Sequence, residues 1–348
     1  MSRKMSRVLF AWALFSLFSC TKTNPEKTDV VNLAIWGNYF SESEQKKFTE
    51  STGIKLNITN YSSNEELLAR VQMGASGVDI AVPSDYMVGI MKKLDLLEPL
   101  DKKQIPNQKK LSKNLLKRDF DPENAYSLPF SWTTTGIAIQ RELFKGKITS
   151  LKEFFENPAL KGKIAVLDDA RESLAAVNKV LGYSVNSTNA NELKQVKEYF
   201  LKNRPQVKIF ASDTVEILKN KEVFAAQSYS SDALQARRAT NGKVDFLIPS
   251  EGSTIAIDNF VIFKTSKNKA NAHRLIDYML ETDHNKSLVE AQMIGPVISD
   301  VKQKLSPELQ SDEALFPKQT QLKRLEELKD LGPDNKLIED IWMEIKNQ

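Results

Sequence analysis

Short strand patterns alternate with helix patterns along most of this chain, and this alternation limits its possible folds more than any other feature. Residues 32–35 predict a strand, residues 41–44 open a helix that Gly53 can end, and residues 54–58 alternate as a second strand. A helix from Ser63 and a strand at 79–82 follow. Strands that alternate with helices form parallel units, so we predict a mostly parallel sheet flanked by helices.

The same rhythm returns after Ile137. The patterns predict strands at 163–166, 207–210 and 224–227, and helices at 151–155, 172–181, 191–201 and 214–220. A chain of roughly 320 residues without its leader is longer than one hydrophobic core usually organises. The predicted fold class is therefore α/β with two lobes.

The N-terminus carries an export pattern that ends at Cys20. Arg3, Lys4 and Arg7 precede an apolar run at 8–18, and Cys20 is the sole cysteine. The pattern predicts a lipoprotein signal at 1–19, cleavage before an acylated Cys20, and a tether at 20–30. The run is shorter than the roughly 20 residues of a membrane span, so we expect a lipid-anchored protein of the periplasm or cell surface. A plain secretory signal stays open, because Phe18 is bulky for a lipobox.

Charge and cysteine content exclude several classes of function. The chain has 49 basic and 45 acidic residues, and loss of the signal leaves 46 against 45, which gives no electrostatic case for nucleic acid binding. Without further cysteines there is no disulfide framework, thiolate nucleophile or cysteine-bound metal. His273 and His284 lie among charged residues of a helical stretch, so we predict surface positions for both. We expect no cofactor, no metal and no catalysis.

Aromatic and acidic residues follow the predicted strands at the end where open parallel sheets bind ligands. The candidates are Trp36, Tyr39, Ser84, Asp85, Tyr86, Asp169, Glu172 and Tyr229. No glycine-rich phosphate loop occurs there, which disfavours a nucleotide. Carboxylates beside aromatic rings suit an organic cation, because an ammonium group is attracted to ring faces and an enclosed carboxylate needs a partner.

Each candidate also has a purely structural interpretation. Trp36 and Tyr39 could be core aromatics, and Tyr86 could lead a buried helix. Asp169 and Glu172 have the spacing of a helix capping box. Their shared position after strands, more than any one of them, favours a ligand site.

Several motifs carry a resemblance to a known family. They include Trp-Gly-Asn-Tyr at 36–39, Pro-Ser-Asp-Tyr at 83–86, Asp-Asp-Ala-Arg-Glu at 168–172, Leu-Gly-Tyr-Ser at 181–184 and Leu-Ser-Pro-Glu at 305–308. Over nearly its whole mature length the chain resembles the periplasmic spermidine/putrescine-binding proteins, the solute receptors of polyamine ABC transporters. The resemblance implies a monomer that hands a polyamine to an inner-membrane permease.

The resemblance also implies a type II periplasmic binding protein fold whose lobes close on the ligand. The expected first lobe comprises 31–135 and 258–304, and the second comprises 136–257 and 305–348. The hinge is expected near 135–139 and 254–258. Trp36, Tyr39, Ser84 and Tyr86 would line the cleft from the first lobe, with Asp169, Glu172 and Tyr229 from the second.

Asp258 matches the family's amine-gripping acid, whereas other positions depart from the family. Asp85 replaces a residue that is often neutral, so it could add a carboxylate or face solvent. Ala256 stands where relatives have tryptophan, no aromatic residue follows Gly295, and Leu328 or a neighbour replaces a glutamine. These departures leave open another small organic cation or amino compound as the ligand. A sensor or adhesin lipoprotein is also open, whereas a hydrolase lacks its motifs.

Overall fold

A computed structural model describes residues 29–37, 39–74 and 77–348. The predicted signal, Cys20 and nearly all of the tether lie outside the described residues. Within the described part, the strands are β1 Val30–Trp36, β2 Lys55–Tyr61, β3 Ile80–Ala81, β4 Leu97–Glu98, β5 Ser127–Gln140, β6 Ile164–Leu167, β7 Val207–Ala211, β8 Ala225–Tyr229, β9 Val244–Leu247, β10 Ser253–Phe263 and β11 Leu325–Glu326.

Helices fill most of the connections between these strands. They are α1 Glu42–Thr52, α2 Asn64–Gln72, α3 Asp85–Lys93, α4 Leu151–Glu156, α5 Ala170–Leu181, α6 Ala190–Asn203, α7 Val215–Lys219, α8 Ser230–Ala239, α9 Lys269–Met279, α10 Thr282–Gln292, α11 Val301–Lys304, α12 Pro307–Ser311, α13 Gln319–Leu322 and α14 Asp334–Lys346. In the described residues no helix is long and apolar enough to cross a membrane.

Local capping chemistry explains why the predicted elements begin and end close to the expected residues. The Ser41 side chain accepts a hydrogen bond from the backbone of Glu44, and Gly53 ends α1 with a φ of 72°. Ser63 caps α2 through the backbone N–H of Glu66 in the same way. The predictions of strands and helices in both series are confirmed within a few residues.

The strands form one sheet in the order β2-β1-β3-β10-β5-β8-β6-β7. The outer strands of each half are parallel, as predicted: β1 pairs with β2 and β3, and β6 pairs with β7 and β8. The central strands β5 and β10 are antiparallel to each other, and they are antiparallel to β8 and β3 respectively. The mixed α/β sheet and its two halves confirm the predicted fold class.

Strand β5 belongs to both halves of the sheet. Its residues 127–134 pair with β10, whereas residues 135–139 pair with β8. The chain therefore passes from one half to the other at Thr134 and Thr135, at the start of the expected hinge segment 135–139. Hinge motion itself stays a prediction.

Two large hydrophobic cores lie on either side of this crossing. One is built from buried side chains within 31–130 and 234–315. The other is built from buried side chains within 137–225 and 338–345. Leu305 and Leu315 pack in the first core, although residues 305–348 were expected to belong to the second lobe. We therefore propose that the first lobe continues through residue 316, because this segment buries its apolar side chains there.

His273 differs from its predicted surface position. Its side chain is buried, Nε2 accepts a hydrogen bond from the backbone N–H of Asp101 at 2.9 Å, and Nδ1 lies 2.7 Å from the carbonyl oxygen of Lys269. The surface prediction for His273 is wrong because this face of α9 packs on a loop distant in sequence. The ring anchors that loop.

Gly136, in the crossing part of β5, has no room for a side chain. A methyl group there would lie 2.6 Å from the Phe246 ring and overlap the carbonyl oxygen of Leu247. We expect Gly136→Ala to lower the free energy of unfolding by about 1–3 kcal/mol, measured by urea denaturation. The control is Gly89→Ala in α3, where the nearest atom is 3.6 Å away. If Gly136→Ala were as stable as the control, the close packing of Phe246 and Leu247 against Gly136 would be contradicted.

Candidate functional site

A cavity of about 440 Å³ lies between the two halves, beyond the carboxyl ends of β1, β3, β6 and β8. We call it the cleft. The structure brings all nine predicted site residues to its wall: Trp36, Tyr39, Ser84, Asp85, Tyr86, Asp169, Glu172, Tyr229 and Asp258. Residues separated by more than 200 positions therefore share one site, as the strand-end argument requires.

Asp258 is held in the cleft by hydroxyl groups from two other segments. The Ser84 hydroxyl donates to Oδ1 at 2.8 Å, and the Ser131 hydroxyl donates to Oδ2 at 3.4 Å. The register of β10 shifts directly after Asp258, which marks an irregularity in this strand. Burial raises the pKa of the Asp258 carboxyl to about 6, although the hydrogen bond from Ser84 opposes the rise.

Asp85 lies at the first position of α3 and is only 2% exposed. Its carboxylate accepts hydrogen bonds from the backbone N–H groups of Tyr86 at 2.8 Å and Ile257 at 3.3 Å. Burial raises its pKa to about 7 against these hydrogen bonds. The alternative that Asp85 faces solvent is therefore wrong, and the residue adds a carboxylate to the cleft.

Asp169 and Glu172 combine a structural position with a place in the cleft. Asp169 caps α5, since its Oδ1 accepts from the backbone N–H of Glu172 at 3.0 Å. Glu172 does not complete a capping box, because its Oε2 accepts from the Thr254 hydroxyl at 2.6 Å. Burial, followed by the nearby Asp169 charge, raises the pKa of Glu172 to about 7. The pKa of Asp169 is raised too, chiefly by burial.

Five aromatic side chains line the cleft, namely Trp36, Tyr39, Tyr61, Tyr86 and Tyr229. Trp36 and Tyr61 lie with ring centroids 4.6 Å apart, and both donate hydrogen bonds to the carbonyl oxygen of Val82, at 3.0 and 2.5 Å. The Tyr229 hydroxyl lies 3.5 Å from Oδ2 of Asp169. The core and ligand interpretations of these rings therefore coexist, because each ring packs on the protein and presents a surface to the cleft.

Sequence reasoning missed several cleft residues, of which Asp232 is the most buried acid at 5% exposure. Asp232 lies in the first turn of α8, and burial together with the charge of Asp213 raises its pKa to about 7. An acid in a first helical turn is common for reasons of helix stability, so no local signal set it apart. The others include Asn60, Tyr61, Asn64, Glu66, Thr133, Asp168, Ser212 and Asp213.

The departures from the family motif can be placed in the structure. Ala256 and Leu328 both line the cleft. The small Ala256 side chain leaves space within it, whereas Leu328 presents an apolar side chain of about the size of a glutamine. Gly295 instead lies against the Trp132 ring, whose indole nitrogen donates to the carbonyl oxygen of Pro296 at 3.0 Å. No side chain fits at Gly295 without moving that ring.

The charge of the cleft is strongly one-sided. Eight carboxylates line it, and no lysine, arginine or histidine does so in the part of the chain that the structure describes. Glu66 pairs with Arg70 at 2.8 Å, and Asp168 pairs with Lys346 at 2.7 Å. The remaining six have no basic partner within 4.0 Å among the described residues: Asp85, Asp169, Glu172, Asp213, Asp232 and Asp258.

Comparison with known proteins agrees with this geometry. Residues 45–317 match the bacterial extracellular solute-binding protein model. A putrescine/cadaverine-binding protein of Pseudomonas aeruginosa is 34% identical, with 98% of this chain and 99% of the relative covered. The solved structure of a putative spermidine/putrescine ABC transporter from Listeria monocytogenes superposes with a TM-score of 0.87 at 32% identity, with 91% of this chain and 99% of that chain covered.

A third similar protein is the TpPotD lipoprotein of Treponema pallidum. Its structure superposes with a TM-score of 0.81 at 27% identity, covering 92% of this chain and 100% of that chain. The match to the family model spans more than half of the chain, and the similar structures share its two-lobe architecture. The chain therefore belongs to the bacterial extracellular solute-binding protein family.

Proposed function

We propose that this protein is the extracytoplasmic receptor of a polyamine ABC importer and binds putrescine or a longer linear amine in the cleft. The observation that carries the proposal is the set of six cleft carboxylates that have no basic partner within the described residues, four of them buried, beside five aromatic rings. Relatives named for putrescine, cadaverine and spermidine support the same ligand class.

A linear diamine matches both parts of this wall. Its two ammonium groups can take the place of the protons that the buried carboxyls hold, and an ammonium over a ring face gains about 0.5–2 kcal/mol. Its methylene groups can pack on the tyrosine and tryptophan faces. An anion would meet like charge on every side, so anionic solutes are disfavoured.

Location and partners follow from this proposal. We infer that Cys20 carries a lipid anchor, a view supported by the similar lipoprotein of Treponema pallidum. The receptor would act as a monomer, closing on its ligand and delivering it to an inner-membrane permease. As a solute-binding protein it would have no catalytic step.

A thermal-shift panel tests the ligand class, since a ligand that binds only the folded state at 100 times its Kd adds about 2.7 kcal/mol of stability. The panel contains putrescine, cadaverine, spermidine, spermine, basic amino acids and thiamine, with 1-aminobutane as the single-charge control. We expect the linear di- or polyamines to raise the Tm most. A rise only with the amino acids or thiamine would overturn the polyamine proposal.

Another small organic cation is the second candidate. Ala256 leaves space in the cleft at the position where the family resemblance implies a tryptophan, and that space favours a bulkier compound. In the same panel, thiamine acting more strongly than every linear amine would favour this candidate.

Tyr229 offers a test of the aromatic wall. We expect Tyr229→Leu to weaken putrescine binding by about tenfold through lost cation–π and methylene contact, measured by calorimetry. Tyr229→Phe keeps the ring and loses only the long 3.5 Å contact with Asp169, so its affinity should stay within about twofold of the parent. Equal affinities of the leucine and phenylalanine variants would show that the ring does not contact the ligand.

A further inference from the structure

Asp168 differs from the buried acids of the cleft in both exposure and partner. Its side chain is 35% exposed, and Oδ1 receives the Lys346 ammonium group at 2.7 Å and the Trp342 indole N–H at 3.3 Å. Both donors share that one oxygen, and within the described residues no donor contacts Oδ2. Asp168 therefore has one oxygen held by α14 and one still available to the cleft.

Lys346 occupies the position that a ligand ammonium would take at this carboxylate. It comes from the last turn of α14, and its ammonium group lies 5.6 Å from the centroid of the Trp342 ring. An ammonium group between a carboxylate and an aromatic ring repeats, with the protein's own side chain, the chemistry of the cleft itself. Lys346 is 28% exposed, so it can move away into water without leaving a buried charge.

We propose that Asp168 is a distal ammonium subsite of the cleft and that Lys346, by occupying it, makes the protein prefer diamines over triamines. This inference rests on the proposed polyamine function. The two charges of a diamine are balanced by the buried carboxylates, which have no basic partner among the residues that the structure describes. The third ammonium of a triamine such as spermidine would reach Asp168 only by competing with Lys346.

The size of the effect follows from the exposure of the pair. Partly exposed ion pairs contribute little, so releasing Asp168 from Lys346 should improve spermidine affinity by about three- to fivefold. Putrescine affinity should change by less than about 1.5-fold, because its charges do not need the subsite. The ratio of the two affinities is therefore the quantity to measure.

Titration calorimetry of Lys346→Met tests the inference, because methionine keeps a side chain that can pack on Trp342. The matched control is Lys336→Met, which removes another lysine of α14 that pairs with Asp340 at 2.6 Å and does not line the cleft. We expect the spermidine-to-putrescine affinity ratio to rise about three- to fivefold in Lys346→Met and to stay at the parent value in the control. An unchanged ratio in Lys346→Met overturns the inference.

Asp168→Asn distinguishes two causes of a raised affinity ratio: release of the Asp168 carboxylate, and loss of the positive charge of Lys346 near the cleft. With Asp168→Asn as the background, Lys346→Met should no longer raise the ratio, because the oxygen that it frees is part of an amide. An equal rise in both backgrounds means that charge alone is responsible and overturns the subsite. If the parent protein binds neither amine, the proposed function fails, whereas amine binding with an unchanged ratio in Lys346→Met overturns this inference and leaves the proposed function standing.

Discussion

Replacing Asp258 with asparagine is expected to abolish amine binding while the protein remains folded. Truncating one partner of a buried charge pair typically costs 2–5 kcal/mol, which corresponds to about 30-fold to several thousand-fold in Kd. Asparagine keeps the shape of the side chain and an oxygen for the Ser84 hydroxyl, so β10 should stay in place. Titration calorimetry with putrescine measures the loss, and thermal denaturation measures the fold.

The control for this variant is Asp340→Asn on α14, which removes an exposed carboxylate paired with Lys336. It loses the same formal charge and should bind putrescine like the parent. Near-normal affinity of Asp258→Asn would remove this residue from the site. A strong loss in the Asp340 control would instead point to the overall charge of the protein.

Putrescine affinity is expected to fall at least about 100-fold between pH 8 and pH 5. Burial raises the pKa of Asp85, Glu172 and Asp232 to about 7 and that of Asp258 to about 6. Alkylammonium groups, with a pKa of about 10.4 in lysine, stay charged throughout this range. The ligand needs ionised carboxylates, and each carboxyl that must release a proton reduces affinity about tenfold per pH unit below its pKa.

These carboxyl groups should make the folding stability of the ligand-free protein change with pH in the opposite direction to the putrescine affinity. Because their pKa values are higher in the folded than in the unfolded chain, they contribute stability that is fully present below about pH 4 and lost as the pH rises through 6 to 7. The Tm of the empty protein should therefore be lowered at pH 8 by these carboxyls, whereas the increase in Tm caused by putrescine should be largest there. Calorimetry in buffers of different ionisation heat should detect proton release, and an affinity independent of pH would contradict this account.

Local signals were enough to predict the position of the cleft. Eight of its nine predicted residues stand at a strand end or within five positions after one, where a cap such as Asp169 starts the next helix. Asp258 lies in the middle of β10 and was expected only from the family resemblance. Since the parallel strands end at one edge, finding these ends in the sequence amounts to finding the site. The strands and helices could be predicted from residue alternation and helix capping, which are also local signals.

Features that depend on distant partners could not be predicted in this way. The antiparallel course of β5 and β10 is set by pairing between segments far apart, such as Ile255 with Thr134. The burial of His273 depends on a contact with Asp101, and the pairing of Asp168 with Lys346 joins residues 178 positions apart. Periodicity within a helix carries no information about which distant segment will cover it.

Titration calorimetry of the parent protein with putrescine and 1-aminobutane at pH 8 tests the central claim most directly. These amines share a four-carbon chain and differ in the second ammonium group, which the buried carboxylates of the cleft should require. The account predicts saturable one-to-one binding of putrescine and at least about 30-fold weaker binding of 1-aminobutane, by the cost of one unmatched buried charge. Equal affinity for the two amines, or no binding of any di- or polyamine, would contradict it.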